Sequence, residues 1–108
     1  MKIIDTQFPD LKIIEPQLFK DSRGYFMESY SQRKFKEFNL DYNFVQDNES
    51  KSSKNVIRGL HYQLEPFSQA KLIRVIEGKI LDVVIDIRRN SPTFGKWESF
   101  EISGENMK

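Results

Sequence analysis

Lys79-Ile80-Leu81-Asp82-Val83-Val84-Ile85-Asp86-Ile87 is the stretch that decides the fold class. Side chains alternate between the two faces of an extended strand. Asp82, Val84 and Asp86 therefore share one face, and Leu81, Val83, Ile85 and Ile87 share the other. Working outward, Gly78 is a hairpin or bulge position that joins this strand to a second β-branched run, residues 71–77. Downstream, Arg88-Arg89-Asn90-Ser91-Pro92-Thr93-Phe94-Gly95 reads as a loop. Trp97-Glu98-Ser99-Phe100-Glu101-Ile102 reads as a further strand, with a turn at residues 103–106.

The same punctuation runs through the rest of the chain. Ile3-Ile4 and Leu11-Lys12-Ile13-Ile14 read as short strands, the second closed by Pro16. Asp21-Ser22-Arg23-Gly24 is a tight turn, and residues 25–30 resume as a strand. Ser31 can cap a short helix over residues 32–38, with Phe35 and Phe38 on one face and Asn39 as its stop. Residues 42–48 and 56–63 are expected as strands, separated by a solvated loop over residues 51–55. Many short strands and one short helix predict an all-β sandwich or barrel. No internal repeat or low-complexity tract interrupts it.

Composition narrows the function. The 108 residues make one small domain at most. Seventeen Lys+Arg against 16 Asp+Glu leave a net charge of +1, so there is no bulk attraction to nucleic acid or to an anionic membrane. With no cysteine, a disulfide framework and a thiolate zinc site are both excluded. The first residues lack the apolar run of a signal peptide, and no stretch approaches a membrane span, so a cytoplasmic protein is expected. Metal sites of β-barrel enzymes use several histidines, and this chain has one.

That histidine, His61, lies in Val56-Ile57-Arg58-Gly59-Leu60-His61-Tyr62-Gln63. Imidazole moves protons near neutral pH. A lysine beside it steadies the negative charge left when a proton leaves carbon. Lys71, which opens the following β-branched run, is the candidate. One base and one cation form the smallest set that enolises a ketone. A histidine satisfied inside a sheet, and a lysine that protects a sheet edge from aggregation, are the plainer alternatives. Strict alternation separates Arg58 from His61 and Gln63, so a shared pocket requires a bulge or strong twist at Gly59. If residues 71–77 and 79–87 form one hairpin, Asp82 faces Lys71 and keeps it charged. Otherwise Asp82 and Asp86 line a solvated sheet face.

Two further groups suit an anionic, ring-bearing ligand. In Asp21-Ser22-Arg23-Gly24-Tyr25-Phe26-Met27-Glu28, Arg23 offers a planar fork for phosphate oxygens and Phe26 a face for a base or sugar. Gln46-Asp47-Asn48 offers short polar groups at a strand end. A surface hairpin and a capped turn are the alternatives.

In order along the chain, these blocks resemble the dTDP-4-dehydrorhamnose 3,5-epimerase family: residues 21–28, 44–48, 56–63, 69–75, 82–88 and Ser91-Pro92-Thr93-Phe94-Gly95-Lys96-Trp97. The resemblance implies a cupin-like jelly roll (a double-stranded β-helix), here a single partial domain incomplete at its C-terminal end. It implies a homodimer with exchanged N-terminal strands that works without metal or cofactor. His61 would be the general base and Lys71 the support for the C4 oxygen. Arg23, Phe26, Glu28, Gln46, Asp47, Asn48, Arg58 and Gln63 would bind the nucleotide sugar, with Arg23 and Phe26 serving the neighbouring protomer. The implied reaction inverts C3 and C5 of dTDP-4-dehydro-6-deoxy-D-glucose in dTDP-L-rhamnose biosynthesis. The family's tyrosine proton donor and the aspartate that orients its histidine fall after the position of Lys108. The chain thus reads as the N-terminal part of an epimerase, expected to be weakly active or inactive alone. The other readings are a C3-only or C5-only epimerase, a 3,4-ketoisomerase, and an inactive sugar-nucleotide-binding fragment.

Overall fold

The computed structural model describes residues 1–108. Six strands and one helix follow in the order β1 (Lys2–Asp5), β2 (Lys12–Glu15), β3 (Leu18–Asp21), β4 (Gly24–Met27), α1 (Gln32–Glu37), β5 (Lys79–Ile85) and β6 (Trp97–Ser103). The strands pair as three antiparallel hairpins, β1–β2, β3–β4 and β5–β6. An all-β chain with one short helix is therefore as expected. No helix is long and apolar enough to cross a membrane.

The residues form two compact units, Met1–Ser31 with Ile73–Lys108, and Gln32–Leu72. The first carries all three hairpins. Its longest ladder sets Lys79 opposite Ser103 and Ile85 opposite Trp97, seven pairs in all. The loop between β1 and β2 is docked onto this ladder's end. Thr6 Oγ1 donates to the Leu11 carbonyl at 2.9 Å and closes the loop, Phe8 is buried within it, and the Gln7 amide donates to the Trp97 carbonyl at 3.1 Å. In the second unit, Phe35 of α1 and Leu40 are the buried apolar residues. The Leu40 N–H donates to the Phe35 carbonyl at 2.9 Å, and Asn39 adopts φ 60°, a left-handed conformation that asparagine tolerates at a helix end.

Three expectations are corrected. Residues 42–48, 56–63 and 71–77 form no strand. An extended segment needs a neighbour for its N–H and C=O groups, and none of the three hairpins takes these segments as an added strand. The hairpin of residues 71–77 with 79–87 is consequently absent, because β5 pairs with β6 instead. The third concerns the alternative reading of a solvated acidic face on β5. The side bearing Asp82, Val84 and Asp86 is the more covered one, while Leu81 and Val83 on the other side are exposed.

Asp86 can be buried because its carboxylate is fully occupied. Its side chain is 2% exposed. Ser91 Oγ and Thr93 Oγ1 each donate to Oδ2 at 2.6 Å, and Arg88 donates from its backbone N–H and from its guanidinium. A buried charge is tolerable when paired and hydrogen-bonded in this way. The Arg88 guanidinium also bonds Asp10 of the β1–β2 loop, so one cation ties the loop after β5 to the loop after β1. Within the same unit, Gly104 lies against the backbone of Ile76 and donates its N–H to the Gly78 carbonyl at 3.0 Å.

Candidate functional site

The second unit, Gln32–Leu72, holds most of the candidate residues. Arg58 is fixed locally. Its Nε donates to Ser52 Oγ at 2.9 Å and its Nη2 to the Lys51 carbonyl at 3.1 Å. The chain reverses between these residues through a turn at Lys54 and Asn55, where Asn55 adopts φ 67°. Gly59 follows with φ +112°, a conformation that side-chain-bearing residues rarely adopt. Residues 56–63 form no strand, so the strand bulge expected at Gly59 has no ladder in which to form. His61 and Lys71 are exposed, and neither donates or accepts a side-chain hydrogen bond or forms an ion pair within the chain. An imidazole free of internal partners is available for proton transfer. Gln46 and Asn48 meet directly, Nε2 donating to Oδ1 at 3.1 Å, while Asp47 and Gln63 are exposed.

The first unit holds the other group. Tight pairing of β3 with β4 sets Phe19 opposite Phe26, and their rings lie 6.3 Å apart in a tilted arrangement. Phe19, Lys20, Asp21, Arg23, Tyr25 and Phe26 line an open depression of about 520 Å³ on this hairpin. Aromatic faces beside a guanidinium suit a ring that carries a phosphate. Arg23 is engaged by Asp21, Nη2 to Oδ2 at 2.6 Å, and the backbone N–H of Arg23 donates to Asp21 Oδ1 at 2.8 Å. This pairing holds the Asp21 carboxyl below its ordinary range and raises the guanidinium of Arg23. Glu28 follows β4 directly.

Asp82 lies on β5 opposite Phe100 of β6. Its expected place across from Lys71 depended on a hairpin that does not form, so no strand register sets the two residues face to face. Sequence reasoning also missed the Asp86 cluster. The signal was present: an aspartate at a strand end, followed within seven residues by Arg88, Ser91 and Thr93, is a carboxylate with donors in reach of one turn.

The family model described as dTDP-4-dehydrorhamnose 3,5-epimerase matches residues 5–108. A curated relative from Shigella flexneri, named dTDP-4-dehydrorhamnose 3,5-epimerase, is 53% identical over 109 residues, covering 100% of this chain and 60% of its own length. The structure of the Bacillus anthracis str. Ames protein of that name, with TDP and PPi bound, superposes with a TM-score of 0.95 at 45% identity, covering 98% of this chain and 61% of that one. The Legionella pneumophila protein, in complex with dTDP-4-keto-L-rhamnose, gives a TM-score of 0.91 at 49% identity, covering 98% of this chain and 56% of that one. The chain therefore spans about 60% of the length of such relatives. Over the matched residues the backbone follows the cupin-like jelly roll of these epimerases.

Proposed function

Because the chain belongs to the dTDP-4-dehydrorhamnose 3,5-epimerase family, we propose that it is part of an enzyme that epimerises C3 and C5 of dTDP-4-dehydro-6-deoxy-D-glucose, giving dTDP-4-dehydro-L-rhamnose. The observation that carries this reading is the match over residues 5–108, which includes His61, Lys71 and Arg58. The C4 ketone acidifies the protons on C3 and C5. His61 removes one as general base, and the electron pair of the broken C–H bond moves into an enolate whose charge rests on O4. Lys71 supports that oxygen. Positioned acid–base help of this kind contributes roughly 10²–10⁴-fold, and a preorganised donor at the oxyanion about 3–4 kcal/mol. Proton return from the opposite face inverts the centre.

Arg58, Gln46, Asp47, Asn48 and Gln63 hold the nucleotide sugar, and Glu28 assists. Arg23 and Phe26, on the β3–β4 hairpin, serve the neighbouring protomer of a homodimer. The 108 residues form one partial domain of that enzyme, which works in the cytoplasm.

The test is solvent-deuterium exchange into dTDP-4-dehydro-6-deoxy-D-glucose by the whole enzyme that contains these residues, followed by NMR. Deuterium at both C3 and C5, lost in His61→Ala, is the expected result. Exchange at one carbon alone points instead to a single-site epimerase. Tight dTDP binding with no exchange at either carbon points to an inert binder and overturns the catalytic reading.

A further inference from the structure

The bonds that Arg58 makes divide its guanidinium into two edges. Nε and Nη2 form one side of the planar group, and that side faces the loop, toward Ser52 Oγ at 2.9 Å and the Lys51 carbonyl at 3.1 Å. A guanidinium carries five N–H donors. The two on Nη1 and the second on Nη2 stay free, and one N–H from each of these nitrogens makes the end-on fork that matches two oxygens of a phosphate. We infer that Ser52 is a positioning residue: its hydroxyl holds Arg58 so that the end-on fork is presented to the diphosphate of the substrate. This inference rests on the proposed function, in which Arg58 binds the nucleotide sugar.

The local backbone supports the assignment. Ser52 and Arg58 are six residues apart and meet because the chain reverses at Asn55, whose φ of 67° suits asparagine. Both side chains are exposed, so an unrestrained arginine here would sample many rotamers. An anion must then order the side chain as it binds. A guanidinium already held along one edge loses less freedom on binding, which is the usual origin of preorganised affinity. The Lys51 carbonyl cannot be removed by substitution, which leaves the Ser52 hydroxyl as the part of the holder that a variant can delete.

Calorimetric titration with TDP and, separately, with thymidine tests the idea on the 108-residue chain and on its Ser52→Ala, Ser52→Thr and Arg58→Ala variants. Ser52→Ala is expected to weaken TDP binding roughly three- to tenfold, the range for one hydrogen bond of ordinary net strength, and to leave thymidine binding unchanged. Ser52→Thr keeps the hydroxyl and restores TDP affinity. Arg58→Ala loses at least as much TDP affinity as Ser52→Ala. The Arg58 Nε–H signal in ¹⁵N NMR is expected to exchange slowly with solvent in the parent and in Ser52→Thr, and quickly in Ser52→Ala. TDP affinity unchanged in Ser52→Ala but reduced in Arg58→Ala would overturn the role of Ser52 and leave the proposed function standing. Equal losses of TDP and thymidine in Ser52→Ala would mean that the loop is merely disordered, which also overturns it. TDP affinity unchanged in Arg58→Ala would instead sink the nucleotide-binding reading on which the inference rests.

Discussion

Asp86 grips Arg88 in a two-pronged bond: Arg88 Nε donates to Oδ1 and Nη2 to Oδ2, each at 2.9 Å. Because Arg88 also reaches Asp10, the pair joins two loops that are 78 residues apart in sequence. Replacing the carboxylate by an amide leaves one acceptor oxygen where there were two, so the Arg88 fork and the Ser91 and Thr93 hydroxyls can no longer all be satisfied. Asp86→Asn is expected to lower the thermal midpoint by roughly 5 °C or more, as breaking a buried hydrogen-bonded network does. Circular dichroism melts check it, and a midpoint equal to that of the parent would deny the cluster a structural role.

The same carboxylate sets an acid response. Bonding from the Arg88 side chain, then from Ser91 and Thr93, holds Asp86 well below its ordinary value of 3.8. Its folded-state pKa is depressed, so its contribution is complete above the unfolded value and is lost as pH falls from there toward the folded value. Within that window the unfolded chain binds more protons than the folded one, and stability drops as acid is added. The stability gap between the parent and Asp86→Asn should therefore narrow below a pH of about 4. Urea denaturation at a series of pH values measures it, and a constant gap from pH 7 to 2 would contradict the assignment.

Gly104 makes a close backbone approach. A Cβ placed there would lie 2.6 Å from the carbonyl oxygen of Ile76 and 3.3 Å from its carbonyl carbon, and neither atom belongs to a movable side chain. Gly104→Ala is expected to cost about 1–3 kcal/mol, the range for forced overpacking. Gly78 is a useful contrast, with φ +76° and open space around it. Gly78→Ala is expected to cost about 1–2 kcal/mol through backbone strain alone. Chemical denaturation of both variants separates steric from conformational cost.

Arg23 is held by Asp21, and an incoming phosphate must compete with that carboxylate. Asp21→Asn keeps the oxygen that accepts the Arg23 backbone N–H and removes the competing charge. TDP affinity is expected to rise a few-fold in Asp21→Asn and to fall in Arg23→Ala, with both effects shrinking as salt is added. Titrations at two ionic strengths examine this. Equal affinity in all three proteins would remove Arg23 from the proposed binding set.

Phe35 is 2% exposed and anchors the small core of the Gln32–Leu72 unit. Phe35→Ala is expected to cost about 3–5 kcal/mol. Hydrogen exchange should show the loss at the amides of α1 and Leu40. Protection retained there in the variant would show that the helix does not depend on this ring.

The sequence by itself determined the elements whose pairing or capping is local. The turn at residues 21–24 and the helix that follows Ser31 and stops at Asn39 appear where their residues place them. Each needs only neighbours in the chain. The sequence also determined the family, because ordered blocks of polar and aromatic residues are legible without any contact. Tertiary structure decided what depends on a distant partner. It paired β5 with β6 rather than with residues 71–77, and left residues 56–63 outside every ladder. It also turned the acidic face of β5 inward, where Asp86 gains five donors. A period of two marks two faces but not which neighbour covers each. That choice is made by whichever contact satisfies buried polar groups and backbone together.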